Sequence, residues 1–397
     1  MIKEISSDEY LEYMNEQHDH SFLQTQAMAE TIHANGAEIR YLALIDDNQT
    51  KAVGLGFIQK IFRGQRMDFM AGAVANNSED ELLFYDQLRT YAKNEHIDQL
   101  GIQPNHNQQT FDFNGNPTSD ENHQWKDSLA DLDYELGNYD AKHIVGLPKF
   151  QYLKDLTPYF PNDEKGLLKS FNKNSQRKIK KAIELGITIR HIDFEEISNF
   201  RKITTETAQR QGFVDKSQKY YESLYKEFGD KADFLQAELD LPASIDKLQA
   251  RIDSLNPDKK QDLQKIQSLE SDVEAMRDIL QGQQDAIIPL ANMIMIYLED
   301  ESTYFLGGSY TDYQKFPAPF LLQYEAMKRT MDRKISLYNF YGISGDFDGS
   351  DGILRFKQNF NGFIQEKVGT FYYFPNALKF KSIQFLKNIM NKILKRG

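Results

Sequence analysis

The sequence has no cysteine and a single tryptophan. Without cysteine there is no thiol nucleophile, disulfide, Cys-ligated zinc or iron–sulfur cluster. Long apolar runs are also missing. The longest, from Ala286 to Leu298, is interrupted by Pro289 and Asn292 and falls short of the roughly 20 residues of a spanning helix. The opening MIKEISSDEYLEYMNEQ is charged from its third residue and has no apolar segment of the signal-peptide kind. These absences predict a soluble, cytoplasmic chain. Basic charge is in deficit, 47 Lys and Arg against 59 Asp and Glu, for a net −12. That argues against a general nucleic-acid binder but leaves room for a local basic patch.

Several motifs are absent as well. There is no HExxH, no Gly-x-Ser-x-Gly elbow and no Walker loop, which removes most of the case for zinc hydrolysis, a serine triad or ATP chemistry. Asp346, Asp348 and Asp351 imitate a calcium loop. Counted from Asp346, however, the sixth position is Asp351 rather than Gly and the twelfth is Lys357 rather than Glu. A tight Gly/Asp turn is the better reading. His18 and His20 flank Asp19 and read as a solvated helix end. No metal site is expected.

What is present is a core-capable chain, 397 residues long and 12% aromatic, long enough for about two domains. Residues 1–145 mix strands and helices. The apolar runs Ile39–Ile45 and Ala52–Ile58 flank an Asp46-Asp47-Asn48 turn, and Glu81–Asn94 has helical spacing. The polar stretch 105–122 reads as a long loop. Residues 146–239 and 286–397 form a second α/β block, with helices at 164–185 and 195–211. Between its halves, in 240–285, Ile245, Leu248, Ile252 and Leu255 are followed, after Asn256-Pro257-Asp258, by Ile266, Leu269, Val273, Met276 and Leu280. This a/d seam broken by proline predicts an antiparallel helical hairpin projecting from the second domain, in preference to a dimerising coiled coil.

Charge is patterned too. Lys165, Lys169, Lys173, Arg177 and Lys181 recur at intervals of four, joined by Lys178 and Lys180, with no acid after Glu164. On one helix they form a single stripe. A solvated face normally alternates sign, so a phosphate-facing surface is set against that bland reading. The C-terminal stretch from Asn376 is basic and amphipathic (Lys379, Lys381, Lys387, Lys392, Lys395, Arg396). It suits a helix docked on its own domain, lysines outward, or one lying on an anionic membrane surface. The hairpin carries six basic residues against ten acidic ones between Asp240 and Asp285, which makes it a poor clamp for RNA.

The stretches Ser21-Phe-Leu-Gln-Thr25, Lys173–Gly186, Phe213–Tyr221, Thr303–Ser309, Tyr338-Asn-Phe-Tyr-Gly-Ile-Ser-Gly345 and Gly349–Phe360 occur in an order that resembles the Fem family of peptidoglycan aminoacyltransferases, in particular its MurM/MurN-like and FemA-like members. The resemblance implies an α/β (α+β) fold of two GNAT-like acyltransferase domains with the hairpin as an inserted coiled-coil arm. It implies transfer of an amino acid, alanine or serine foremost, from aminoacyl-tRNA to the stem peptide or growing cross-bridge of a peptidoglycan precursor, without a cofactor. Phe356 and Lys357 match the family's catalytic Phe-Lys pair. Lys216, Tyr220 and Tyr304 fall at its precursor pocket, and the Lys165–Lys181 stripe would face tRNA or the precursor's phosphates. Met28 stands where many relatives have Trp, Ile32 lies near a position where they have lysine, and Gln103-Pro104 replaces Asp-Pro. These departures favour lipid II over a soluble UDP-precursor. Lipid II as acceptor implies transient contact with the inner membrane surface, and the acidic arm suggests a protein partner. An acyl-CoA-dependent GNAT-type N-acyltransferase and a non-catalytic tRNA-binding scaffold are the rival readings.

Overall fold

A computed structural model describes residues 1–17, 20–140, 146–282 and 285–380. His18, Asp19 and the part of the expected basic C-terminal helix that follows Phe380 lie outside the described residues. Among the described residues the strands form two eight-stranded sheets. The first contains β1 (Ile2–Glu4), β2 (Glu38–Asp46), β3 (Gln49–Ile61), β4 (Gly64–Phe69), β5 (Val74–Ala75), β6 (Gln99–Ile102), β8 (Glu135–Leu136) and β16 (Phe371–Tyr373). The second contains β7 (Asn107–Asp112), β9 (Phe150–Asp155), β10 (Thr188–His191), β11 (Ala232–Asp240), β12 (Ile287–Tyr297), β13 (Glu301–Ser309), β14 (Leu337–Ile343) and β15 (Phe363–Lys367). The helices are α1 (Ser7–Met14), α2 (Gln26–Ala34), α3 (Ser78–Asn94), α4 (Gln124–Asp131), α5 (Glu164–Ser170), α6 (Lys173–Leu185), α7 (Ile197–Gln211), α8 (Gln218–Phe228), α9 (Leu241–Asp253), α10 (Lys260–Gly282), α11 (Ala318–Asp332) and α12 (Gly352–Gln358). Among the described residues no helix is long and apolar enough to cross a membrane.

The hairpin predicted around residues 39–58 is β2–β3. Asp46 pairs with Gln49 across Asp47 and Asn48, both with positive φ, the two-residue turn that matches strand twist. The predicted loop at 105–122 instead contains β7, which pairs with β15. An edge strand is paired on one side only, so β7 buries just Gln108 and Phe111 and shows no apolar period to read.

The sheets do not divide where the sequence blocks do. The second sheet takes β7 from the N-terminal block, and the first sheet takes β16 from the C-terminal block, inserted between β6 and β8. Three cores result. One lies between the first sheet, α3 and α4 and is closed by Phe371 and Tyr373. One joins the two halves through α2, α7 and α8. The largest fills the far face of the second sheet under α6, α9, α10 and α11.

The structure corrects two expectations. The basic stripe does not ride one helix. Asn172 accepts the N–H of Ser175 at 2.9 Å, capping α6 anew, so Lys165 and Lys169 belong to α5, and Lys173, Arg177, Lys178 and Lys181 to α6. The helical hairpin, for its part, does not project. Its base is closed by the Leu241 N–H on the Ala286 carbonyl, and Ile245, Leu248, Leu269, Val273 and Met276 share a core with Ile179, Ala182 and Leu185 of α6. Lys181 pairs with Asp272, while Glu184 takes Lys265 at 2.6 Å and Arg251 at 3.3 Å. The a/d seam is therefore the inner face of a three-helix layer.

Leu269 is fully buried and Leu263 is exposed. Leu269→Ala is expected to lose about 2–5 kcal/mol of stability in denaturant unfolding, and Leu263→Ala about 0.5 kcal/mol or less. Equal small losses would mean a free arm.

Candidate functional site

The site is built from α12 outward. Asp351 caps this short helix, one oxygen accepting the N–H groups of Ile353 (2.7 Å) and Leu354 (3.0 Å) and the other the N–H of Ser344 (2.9 Å). These amide contacts outweigh its burial and keep the carboxyl below its usual range. The acidic turn of the sequence is thus a helix cap and a clamp on the end of β14.

The cap aims the last turn of α12 inward. Lys357 is only 4% exposed. Its Nζ donates to the carbonyls of Gly342 at 2.6 Å and Tyr341 at 3.2 Å. Burial pulls its pKa down to about 7, against the pull of the Asp351 carboxylate. In a regular strand one of two successive carbonyls would point away from the lysine. Both reach it because β14 bulges between Asn339 and Gly342 opposite β9, with Tyr341 at φ 66°. An ammonium has three N–H donors. Two are used, and the third has no partner among the described residues.

The Tyr341 ring joins an aromatic group. Phe22 and Phe305 lie 5.0 Å apart, and their ring centres are 6.0 and 5.7 Å from Tyr341. The Tyr341 hydroxyl donates to the Gly146 carbonyl at 2.6 Å. Phe22 is placed by its neighbours: Ser21 and Thr25 cap the turn on either side. Buried Gln24 accepts from the Leu55 N–H (2.9 Å) and donates to the Met70 carbonyl (2.7 Å). The Ser21–Thr25 motif therefore fastens the N-terminal segment to β3 and to the chain just after β4.

Tyr220 lies in the same apolar group, its hydroxyl 3.9 Å from Met28 Sδ, with Lys216 Nζ 5.2 Å from its ring centre. The loop carrying Lys216 is fastened through Asp215, which accepts from Thr205 (2.6 Å) and Tyr221 (2.7 Å) and faces Arg201. Lys216, Tyr220 and, through Tyr341, Lys357 are thus brought together. Tyr304 is not. A bulge opposite Met295 puts Tyr304 on the core under α11, and Phe305 and Leu306 on the side of Tyr341.

Phe356 does not line this group either. It packs edge-on against Phe320 at 5.1 Å and Phe360 at 5.6 Å, and Lys178 sits 5.2 Å over the Phe320 ring. Its place is structural: it bonds α12 to the large core. The basic helix is fixed to the same element, since the Asn172 N–H (3.1 Å) and the Ser175 hydroxyl (2.9 Å) both donate to the Asn359 carbonyl. Lys165, Lys169, Lys173 and Arg177 are exposed and have no ion pair among the described residues. Lys181, spent on Asp272, is withdrawn from the phosphate surface expected of it. Sequence reasoning missed Asn339, Tyr341, Asp351, Phe22 and Phe305 as site residues. Asp351 carried a local signal, an acid–glycine pair just before a helical run, and the other four lie inside the stretches that carry the family resemblance.

With this geometry in hand, known proteins place the chain. The FemAB family pattern matches residues 5–388. "Aminoacyltransferase FemB" of Staphylococcus epidermidis is 27% identical over 326 positions, covering 72% of this chain and 73% of that protein. "Aminoacyltransferase FemA" of Staphylococcus aureus is 25% identical over 405 positions, covering 94% of each. A crystal structure of FemX superposes with a TM-score of 0.70 at 20% identity, over 96% of this chain and 99% of that one. A tandem GNAT protein from the clavulanic acid biosynthesis pathway gives 0.51 at 6% identity, over 95% and 99%. The last two show a shared fold of paired GNAT-like units.

A buried lysine whose pKa is lowered by folding destabilises the fold fully below about pH 7, and the penalty is relieved as pH rises toward its unfolded value. Lys357→Met is therefore expected to raise Tm, with the gain largest at pH 6 and smaller at pH 9. A gain independent of pH would place the ionisation of Lys357 outside this range.

Proposed function

Because the chain belongs to the FemAB family, we propose that it is an aminoacyltransferase that moves an amino acid, alanine or serine, from aminoacyl-tRNA to the stem peptide or cross-bridge of a peptidoglycan precursor, lipid II foremost. The observation that carries this reading is the Lys357 ammonium, held by two carbonyls with one N–H to spare.

The donor is an activated ester. An acceptor amine attacks its carbonyl carbon, the C–N bond forms, and the carbonyl oxygen takes the negative charge. Collapse breaks the C–O bond to the ribose, whose oxygen takes the proton the amine gives up. No ATP, metal or cofactor enters the balance. The barrier lies in the oxyanion, and a fixed cation in a site nearly free of water stabilises it far more than one in bulk solvent. The remaining N–H of Lys357 supplies that stabilisation, and the rest is positioning. Phe356 supports it by holding α12 rather than by touching substrate.

Lys216, beside Tyr220, suits the diphosphate of the acceptor. Lys165, Lys169, Lys173, Arg177 and Lys178 offer the tRNA a basic edge that ends where the acidic hairpin begins. A lipid-linked acceptor brings the enzyme to the cytoplasmic face of the membrane, with no span of its own required. The hairpin, laid along α6, leaves its acidic outer face to a protein partner or to repulsion of misplaced RNA.

The decisive assay is transfer of labelled alanine from alanyl-tRNA to lipid II, with unbranched and singly branched acceptors compared. Product on the unbranched lipid marks a first-residue transferase, and product on the branched lipid alone marks a bridge-extending one. No product with alanyl-, seryl- or glycyl-tRNA on either lipid or on the soluble UDP-precursor would overturn the reading. Lys357→Met is expected to lower kcat by about 10²–10³, the usual effect of removing one oxyanion donor. Near-full turnover by the folded variant would remove Lys357 from the reaction. Replacing Lys165, Lys169 and Lys173 together is expected to weaken tRNA binding and flatten its salt dependence by about 0.7–0.9 for each phosphate no longer neutralised. An unchanged slope would make these lysines a solvated face.

A further inference from the structure

Tyr341 is a large aromatic residue held in the left-handed region, where side chains other than Gly, Asn and Asp are uncommon. Strain of this kind persists only where surrounding groups enforce it. The enforcing hydrogen bonds converge on one side chain. Asn339, 2% exposed, accepts the Tyr341 N–H on Oδ1 at 2.7 Å. Its Nδ2 donates to Gln151 Oε1 at 2.7 Å and to Glu301 Oε1 at 3.1 Å. Gln151 belongs to β9 and Glu301 to β13, the two strands that flank β14. The side-chain oxygen takes a backbone N–H that the bulge removes from the ladder, and the amide end ties the bulge to both neighbouring strands.

Asn339 makes no hydrogen bond to Lys357 and meets the aromatic group only at the Tyr341 backbone N–H, and an edge-strand bulge would need no such brace. This one lies inside the sheet, where a re-registered strand regains ladder bonds. We propose that Asn339 is a positioning residue for the transfer reaction: it locks the β14 bulge so that the Tyr341 and Gly342 carbonyls both face Lys357 Nζ. The role rests on the reading of Lys357 as the oxyanion's partner, and the test separates the two.

Carbonyl acceptors favour the ammonium over the neutral amine. The other charged group that faces Lys357 is the Asp351 carboxylate at the head of its own helix. Tyr139, whose hydroxyl donates to the Ile343 carbonyl at 2.8 Å, lies within the field of Asp351, and Glu301 acts on the Tyr341 ring and accepts from the Asn339 amide. Asn339→Ala takes the Asn339 amide from Glu301 but leaves the partners of Asp351 and Tyr139 in place. That variant frees Tyr341 to return to ordinary β geometry and turns at least one carbonyl away. The Lys357 ammonium then becomes more acidic by about tenfold, the weight of one hydrogen bond to a charged group. Since transfer needs the ammonium, the fall in kcat at alkaline pH moves to lower pH by the same factor, while KM for the acceptor stays near its original value.

The experiment reads the ionisation directly. Lysine-labelled protein is titrated by NMR, with the Lys357 signal identified by its disappearance in Lys357→Met. The kcat profile is measured in parallel. A tenfold acid shift in Asn339→Ala supports the lock, and an unmoved Lys357 signal in a folded Asn339→Ala overturns it. If Asn339→Ala does not fold, the near-isosteric Gln151→Met removes one acceptor of the Asn339 amide. It is expected to shift the same signal in the same direction by a smaller factor, and no shift would again overturn the proposal. Full activity in Lys357→Met would defeat the oxyanion reading alone, because the NMR titration of the lock does not depend on turnover.

Discussion

An alkylammonium taken out of water forfeits several kcal/mol of hydration that only well-placed acceptors restore. Lys357 is almost completely shielded from water, so its surroundings must answer that deficit or the lysine ceases to be a cation. Much of the second half of the molecule follows from this requirement. β14 gives up its regular register to present two carbonyls, and Asp351 both starts α12 and supplies the nearest negative charge. Phe356 and Phe360 press the helix onto the large core. A second buried lysine, Lys154, donates to the Asn361 carbonyl at 3.2 Å just past the end of α12, and burial lowers its pKa to about 8. It lies 5.5 and 5.4 Å from the ring centres of Tyr159 and Phe171. The short helix is thus gripped at its head by a carboxylate and at its tail by a cation, the polarity its dipole favours.

The same helix links the site to the basic surface. Asn172, Asn174 and Ser175 bind Asn359, so the start of α6 cannot shift without disturbing the turn two residues beyond Lys357. The hairpin then divides α6 by charge. Asp272 occupies Lys181, and Lys265 and Arg251 occupy Glu184, which leaves the N-terminal part of α6 and the exposed Lys165 and Lys169 of α5 open. An acidic element laid beside a basic one narrows where a polyanion fits. That is a form of specificity by exclusion.

What was legible in the sequence was local. The β2–β3 hairpin and the seam of α9 and α10 each follow from a turn or a period contained in one continuous stretch of chain, whereas Lys357 beside Phe356 was reached through the family resemblance. The failures have equally definite causes. The break between α5 and α6 comes from a single capping Asn172, invisible in a charge stripe that keeps its spacing across it. Tyr304 and Phe305 exchanged places because one bulge against β12 reverses the in–out alternation. The projecting hairpin was misjudged because the seam shows that an apolar face exists, not which surface covers it. β7 and β16 escaped notice because short strands paired far along the chain carry no period of their own. The bulge of β14 depends on Gln151 and Glu301, which lie 188 and 38 residues before Asn339.

The crossing of strands between the sheets bears on the order in which this protein can be made. β16 fills the gap between β6 and β8, so the first sheet stays open until residues 371–373 have left the ribosome. Phe371 and Tyr373 complete a core whose members apart from Val368 were translated about 240–330 residues earlier, roughly 12–65 s of synthesis at about 5–20 residues per second. During that interval the edge of β6 and the apolar face beneath it have no native cover. The N-terminal half cannot fold to completion as an independent unit ahead of the rest, and a chain released early leaves an unpaired strand edge of the kind that aggregates.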